Sequence, residues 1–273
     1  MTLSPQALET YLWWLTILGH LVLYFRLRQG ALHRIYRFFA AYLLFRVFRA
    51  VLLAAVPPVA RLLDSRPDLP FATNAYAWVW VVTQVVLWFF YILVVLELYS
   101  LVLQNYKGIA TLGRWALLGG LVVSLIFSSV TLWTDLSNPG EQFPTLLYLL
   151  AIDRGILSSL VVFLLLITGF LVWCPVPLSR NVVVHCIAYA AYFLPLAVAV
   201  LLRNVMGSQV TQVVNIALSC ITTVCLAVWI VFLNREGETR LFRILRRPAP
   251  QDEEMLVEHL AAINSTLLRA ARK

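Results

Sequence analysis

Charge is what this chain has least of. Only 12% of its 273 residues are Asp, Glu, Lys or Arg, about half the share usual in soluble domains. Lysine occurs twice, as Lys107 and Lys273, and neither falls within an apolar run. A retinal Schiff base needs a lysine amine in the last helix of a seven-helix bundle, so that chemistry is excluded. The four cysteines, Cys174, Cys186, Cys220 and Cys225, have neither metal-type spacing nor an extracellular pairing pattern, and read as small reduced apolar residues.

Catalytic signatures are scarce as well. There is no phosphate-cradling glycine loop, His-Glu-x-x-His, Gly-x-Ser-x-Gly or Asp-rich metal site. The third apolar run ends ELYSLVLQNYKG without the acidic-Arg-aromatic triplet of seven-helix receptors. The last run has VVNIALSC in place of an Asn-Pro-x-x-Tyr element. Inverted repeats and matched broken helices of the transporter kind are not visible.

What the chain has is apolar length. Hydrophobic residues make up 62% of it, and its mean hydropathy is +0.85. Stretches long enough to cross a bilayer, about 20 residues for a ~30 Å core, recur at 8–26, 37–57, 75–103, 112–134, 144–173, 181–203 and 208–234. Short loops with Pro, Gly, Asn or Ser separate them. The expected fold is all-α: a polytopic bundle of seven transmembrane helices over 1–234, followed by a tail over 235–273. The opening MTLSPQALET has no basic region and contains Glu9, so the first helix is expected to be retained as an anchor.

The basic residues sort by side. Fifteen of the 21 lie in the first, third and fifth connections and the tail, three in the alternate connections, and Arg46, Arg49 and Arg154 lie inside spans. The positive-inside rule then places the N-terminus outside and the C-terminus in the cytoplasm, in a cytoplasmic or plasma membrane. A net charge of +8 spread in this way marks topology and does not point to nucleic acid.

Two arginines in the second span need an explanation, because a central arginine costs roughly 2.5–3.5 kcal/mol on insertion scales. Arg46 and Arg49 are three apart and share a helix face. At 1.5 Å per residue they lie about 14 and 18 Å from the cytoplasmic end. Depth matching pairs Arg46 with Glu97 of the third span and Arg49 with Asp153 of the fifth, with Arg154 beside them. That network is either a packing device or a site for an anionic or polar ligand.

Other polar features follow helical spacing. Ser208, Gln212, Asn215, Ser219 and Thr222 form a stripe on the seventh span, and Ser124, Ser128 and Thr131 a shorter one on the fourth. Pro195 is expected to kink the sixth. His20 and His185 have similar predicted depths, about 8 or 9 Å from the cytoplasmic ends of their helices, which permits shared axial ligation of a haem or pigment or, more simply, hydrogen-bonded packing.

In the tail, Arg240, Arg243, Arg246 and Arg247 alternate with apolar residues, as in a short helix lying on an anionic inner leaflet. Residues 252–272 then form an amphipathic helix with Leu256, Leu260, Ile263 and Leu267 on one stripe, able to dock on the bundle, a second copy or a partner in a membrane complex. The leading functional reading is a non-enzymatic, receptor-like or sensor-like module with a polar intramembrane cavity coupled to this tail. The alternatives are a transporter or ion-conducting protein, and a structural or cofactor-holding subunit of a larger membrane complex.

Overall fold

The computed structural model describes residues 4–63, 70–103, 152–153, 155–165, 178–206, 210–239 and 241–242, with single positions in 111–122, at 169 and in 258–265. These residues are almost wholly helical. The long helices are α1 (Pro5–Gln29), α2 (Arg37–Leu63), α3 (Pro70–Val102), α5 (Arg180–Met206) and α6 (Thr211–Phe232). The helical stretch Gly155–Leu165 is α4, and a short α7 covers Arg235–Thr239. Among the described residues, four helices are long and apolar enough to cross a membrane: Arg37–Pro58, Ala75–Val102, Arg180–Ala199 and Thr211–Phe232. The fourth expected span lies almost entirely outside the described residues, and the fifth is described over α4 and Ile152–Asp153.

Helix α1 starts as its sequence suggests, with Ser4 Oγ accepting from the Ala7 N–H at 3.3 Å and Pro5 at the first helical position. It packs on α6 and α2, α2 packs on α3, and α5 packs on both α6 and α3. Gly19 lies at a close approach of α1 and α6, since a Cβ there would meet Leu226 Cδ1 at 3.0 Å. At the end of α1 the chain turns through Ala31, a left-handed residue at φ 56°, and a 3-10 turn over Leu32–Arg34 before entering α2. Helix α2 continues through Pro57 and Pro58, which the sequence reading had taken as its end.

The long helices are apolar on their outward faces too. Tyr11, Trp14, Leu18 and Phe25 on α1, Phe48 and Val51 on α2, Trp78 and Phe89 on α3, Ile187 on α5 and Val213 and Val224 on α6 are all exposed. So much exposed apolar surface suits lipid and is a liability in water. The end of the bundle at which α1 begins is called the upper end below, and the opposite end the lower.

Two carboxylates organise the lower end. Glu97, about one and a half turns from the end of α3, accepts from the N–H groups of Phe38 at 3.0 Å and Phe39 at 3.1 Å. A side chain of α3 thereby caps the first turn of α2, where unbonded N–H groups and the positive end of the helix dipole favour an anion. Glu238 on α7 accepts from Tyr36 at 3.0 Å, Asn181 at 2.9 Å and Ser179 at 3.3 Å. Asn181 is fully buried and also donates to the Asn234 carbonyl at 2.8 Å. Burial and the adjacent Glu238 carboxylate raise the Tyr36 phenol well above its ordinary pKa.

The chain after α7 departs from the expected interfacial helix. Leu241 and Phe242 form a two-residue antiparallel bridge, Leu241 opposite Ser179 and Phe242 opposite Leu178. The free backbone just before α5 offers a ladder that periodicity in the tail does not reveal. Arg240, Arg243, Arg246 and Arg247 lie outside the described residues, as does most of 252–272.

Glu97→Ala should lower stability by roughly 1–3 kcal/mol, since it strips two charge-assisted bonds from the first turn of α2; thermal unfolding in detergent micelles checks it. Gly237→Ala should destabilise by a similar amount, although alanine ordinarily favours a helix by about 1 kcal/mol. The added Cβ meets Asn181 Oδ1, so a rise in melting temperature would contradict the lower-end clamp.

Candidate functional site

Above the aromatic core of the lower half, the helices part around a cavity of about 410 Å³. That lies within the roughly 300–1,000 Å³ range of small-molecule sites. Each wall follows from helical spacing. Helix α1 contributes Glu9, Trp13, Thr16 and His20, at intervals of four, three and four; α2 contributes Arg46, Arg49 and Leu53; α3 contributes Trp80, Gln84, Leu87 and Tyr91. Tyr192 comes from α5, Asn215, Ser219 and Thr222 from α6, and Asp153 from the residues preceding α4. A smaller cavity of about 340 Å³ near the start of α1 is lined by Gln6, Glu9, Thr10 and Trp13, and shares Glu9 and Trp13 with the first.

The carboxylates facing the cavity are held by neutral donors. Asp153 Oδ1 accepts from the Trp88 indole N–H at 2.6 Å and the Gln84 amide at 3.0 Å. Glu9 Oε1 accepts from the Asn215 amide at 3.3 Å. His20 Nδ1 lies 2.6 Å from the Thr16 carbonyl oxygen; a carbonyl can only accept, so this nitrogen carries a proton.

The guanidinium groups are placed differently. Arg49 is 7% exposed and its Nε has no hydrogen-bond partner. Its guanidinium carbon lies 5.9 Å from the centroid of the Trp80 ring, a cation–π contact. Arg46 and Arg49 both line the cavity, and among the described residues neither is in an ion pair or hydrogen bond with a carboxylate.

Neither depth-matched pair is a direct ion pair among the described residues. Glu97 sits close to the end of α3, level with Phe38 and Phe39, whereas Arg46 lies about 12 Å further along α2 at 1.5 Å per residue; the cap claims the carboxylate. Asp153 does share the cavity with Arg49 and its charge acts on that guanidinium, while its Oδ1 accepts from Gln84 and Trp88. Gln212 is exposed and off the cavity, which is lined by its stripe neighbours Asn215, Ser219 and Thr222. Arg154, Ser208, Ser124, Ser128 and Thr131 lie outside the described residues.

The two histidines occupy different surroundings. His20 lines the cavity. His185 is enclosed by Tyr36, Phe39, Tyr189 and Trp229, with ring centroids at 4.4, 4.9, 5.6 and 6.2 Å, and neither of its nitrogens has a hydrogen-bond partner. The ring contacts linking them run from His185 through Phe39 and Tyr42 to His20.

Sequence reasoning missed two groups. The α1 face Glu9, Thr16, His20 was legible from its spacing. The hydroxyl cluster, in which Tyr42 donates to Tyr192 at 3.2 Å and Tyr91 lies 3.3 Å from the same oxygen, joins three helices and carries no local signal. Comparison with known proteins returns no matching family, no similar curated protein and no matching solved structure.

Arg49→Met tests what the guanidinium does for stability. A buried charge with its Nε unbonded is replaced by an apolar chain of similar length, a change that is often neutral or stabilising. The melting temperature should hold or rise; a loss of several kcal/mol would make Arg49 a structural pin.

Proposed function

We propose that this chain is a non-enzymatic, multi-pass membrane protein of receptor or sensor type, binding a small polar ligand in the cavity between α1, α2, α3 and α6. The carrying observation is the pair of guanidinium groups on α2 that face this cavity with no carboxylate partner among the described residues. Charge inside a bundle is expensive and marks function. On this reading α1 is the first of seven spans, the upper end is outside, and the lower end faces the cytoplasm of a cell with the protein in its plasma or cytoplasmic membrane.

Helix α2 is suited to report occupancy. It carries both arginines at mid-depth, and its first turn is held by Glu97 of α3. The residue just before it, Tyr36, is bonded to Glu238 of α7. A ligand that pulls on Arg46 and Arg49 therefore loads a helix tied directly to the segment leading into the tail. There, Arg240, Arg243, Arg246 and Arg247 meet an anionic leaflet, and the helix over 252–272 contacts a second copy or a membrane-complex partner.

Native mass spectrometry of the protein extracted gently from its own membrane tests the reading. The expected result is a stoichiometric small molecule that is lost in the Arg46→Gln, Arg49→Gln double variant. A ligand-free chain in a defined complex would favour the structural-subunit reading instead. A solute flux in proteoliposomes, abolished by Asp153→Asn, would favour transport.

A further inference from the structure

Resting on the reading of the cavity as a ligand site, we infer the chemical class of its occupant: an oxyanion, carboxylate or phosphate, with an apolar body. Among the described residues that line the cavity, Arg49 Nε is a buried donor with no acceptor. Glu9 and Asp153 already accept from Asn215 and from Gln84 and Trp88. Arg46 and Arg49, three residues apart on one face of α2, make no ion pair or hydrogen bond with a carboxylate among the described residues, although the Asp153 charge lies near enough to act on Arg49. A planar guanidinium is built to hold a carboxylate or phosphate through paired N–H bonds, and two side by side make a clasp for one oxyanion.

The tyrosine hydroxyls add a third donor by count. Tyr42, Tyr91 and Tyr192 bring three hydroxyl protons and make two bonds among themselves, with Tyr42 donating to Tyr192. Two protons are used, whichever way the Tyr91–Tyr192 bond runs. The third belongs to Tyr91 or Tyr192, and both line the cavity. A phenol O–H beside two guanidinium groups is a donor set for an anion. The apolar part of the ligand follows from Leu53, Leu87, Leu196 and Leu218 on the same walls, whose side chains carry no hydrogen-bonding group. A free organic acid and the acidic headgroup of a lipid present the same oxyanion.

The experiment uses the full chain in nanodiscs of phosphatidylcholine, with benzoate, octanoate and phenyl phosphate as probes and benzyl alcohol as the neutral match to benzoate. Binding is read by tryptophan fluorescence, since Trp13 and Trp80 line the cavity, and by melting temperature. At least one acid should bind saturably and more tightly than benzyl alcohol. Arg46→Gln and Arg49→Gln should each weaken that binding roughly tenfold to a hundredfold, the value of a charge-assisted bond, while the unliganded protein melts as before. If the acids are silent but discs containing phosphatidylglycerol or phosphatidic acid raise the melting temperature in an Arg49-dependent way, the oxyanion comes from lipid. Saturable binding of benzyl alcohol that matches benzoate, ignores both arginines and is blocked by the cavity-filling Ala50→Phe would overturn the oxyanion and leave the cavity as a ligand site. No saturable response to any acid, alcohol or anionic lipid, with Ala50→Phe indistinguishable from the parent protein, would overturn both.

Discussion

A charged group surrounded by apolar side chains must find hydrogen-bonding partners or incur several kcal/mol of desolvation, and this demand arranges the whole bundle. The chain has few carboxylates to meet it, 13 in all, and those facing the bundle among the described residues accept from neutral donors. Glu97 goes to backbone N–H groups of α2, Glu238 to Tyr36, Asn181 and Ser179, Asp153 to Gln84 and Trp88, and Glu9 to Asn215. Arg46 and Arg49 are left facing a cavity.

The two commitments at the lower end give α2 a particular mechanical position. Backbone N–H groups at a helix start must be satisfied, and here a neighbouring helix satisfies them, so α2 cannot tilt or slide without disturbing α3. Tyr36 adds a side-chain link to α7, and the Leu241–Phe242 bridge adds a backbone one to the residues before α5. The ring cluster around His185 fills the space directly above, with Phe39 and Trp229 in contact at 5.1 Å. A well-packed aromatic core resists local deformation, so any displacement of α2 at this end would be a rigid one.

Much of the helical content was legible from periods of three and four. The runs at 37–57, 75–103, 181–203 and 208–234 correspond to four long apolar helices, and Arg46 and Arg49 on one face, like Asn215, Ser219 and Thr222 on another, are brought to one cavity. The same spacing on α1, Glu9 to Thr16 to His20, would have located a further wall. Gln212 shows the limit: it fits the stripe by number but lies at the exposed edge of the arc, because a stripe spans more of the helix circumference than the cavity touches.

By itself the sequence determined four of the long apolar helices and the spacing of Arg46 and Arg49 along one of them, since both follow from 1.5 Å of rise and 100° of rotation per residue. Only the tertiary structure decided which charge meets which partner. Pairing depends on the relative height and rotation of neighbouring helices, and a slip of one turn, about 5.4 Å, exceeds the reach of a hydrogen bond. Counted from segment ends, Glu97 fell level with Arg46; with α3 packed on α2 it falls level with Phe38 and Phe39. The carboxylate joins the backbone because those N–H groups are nearer, and the arginines face the cavity as a result.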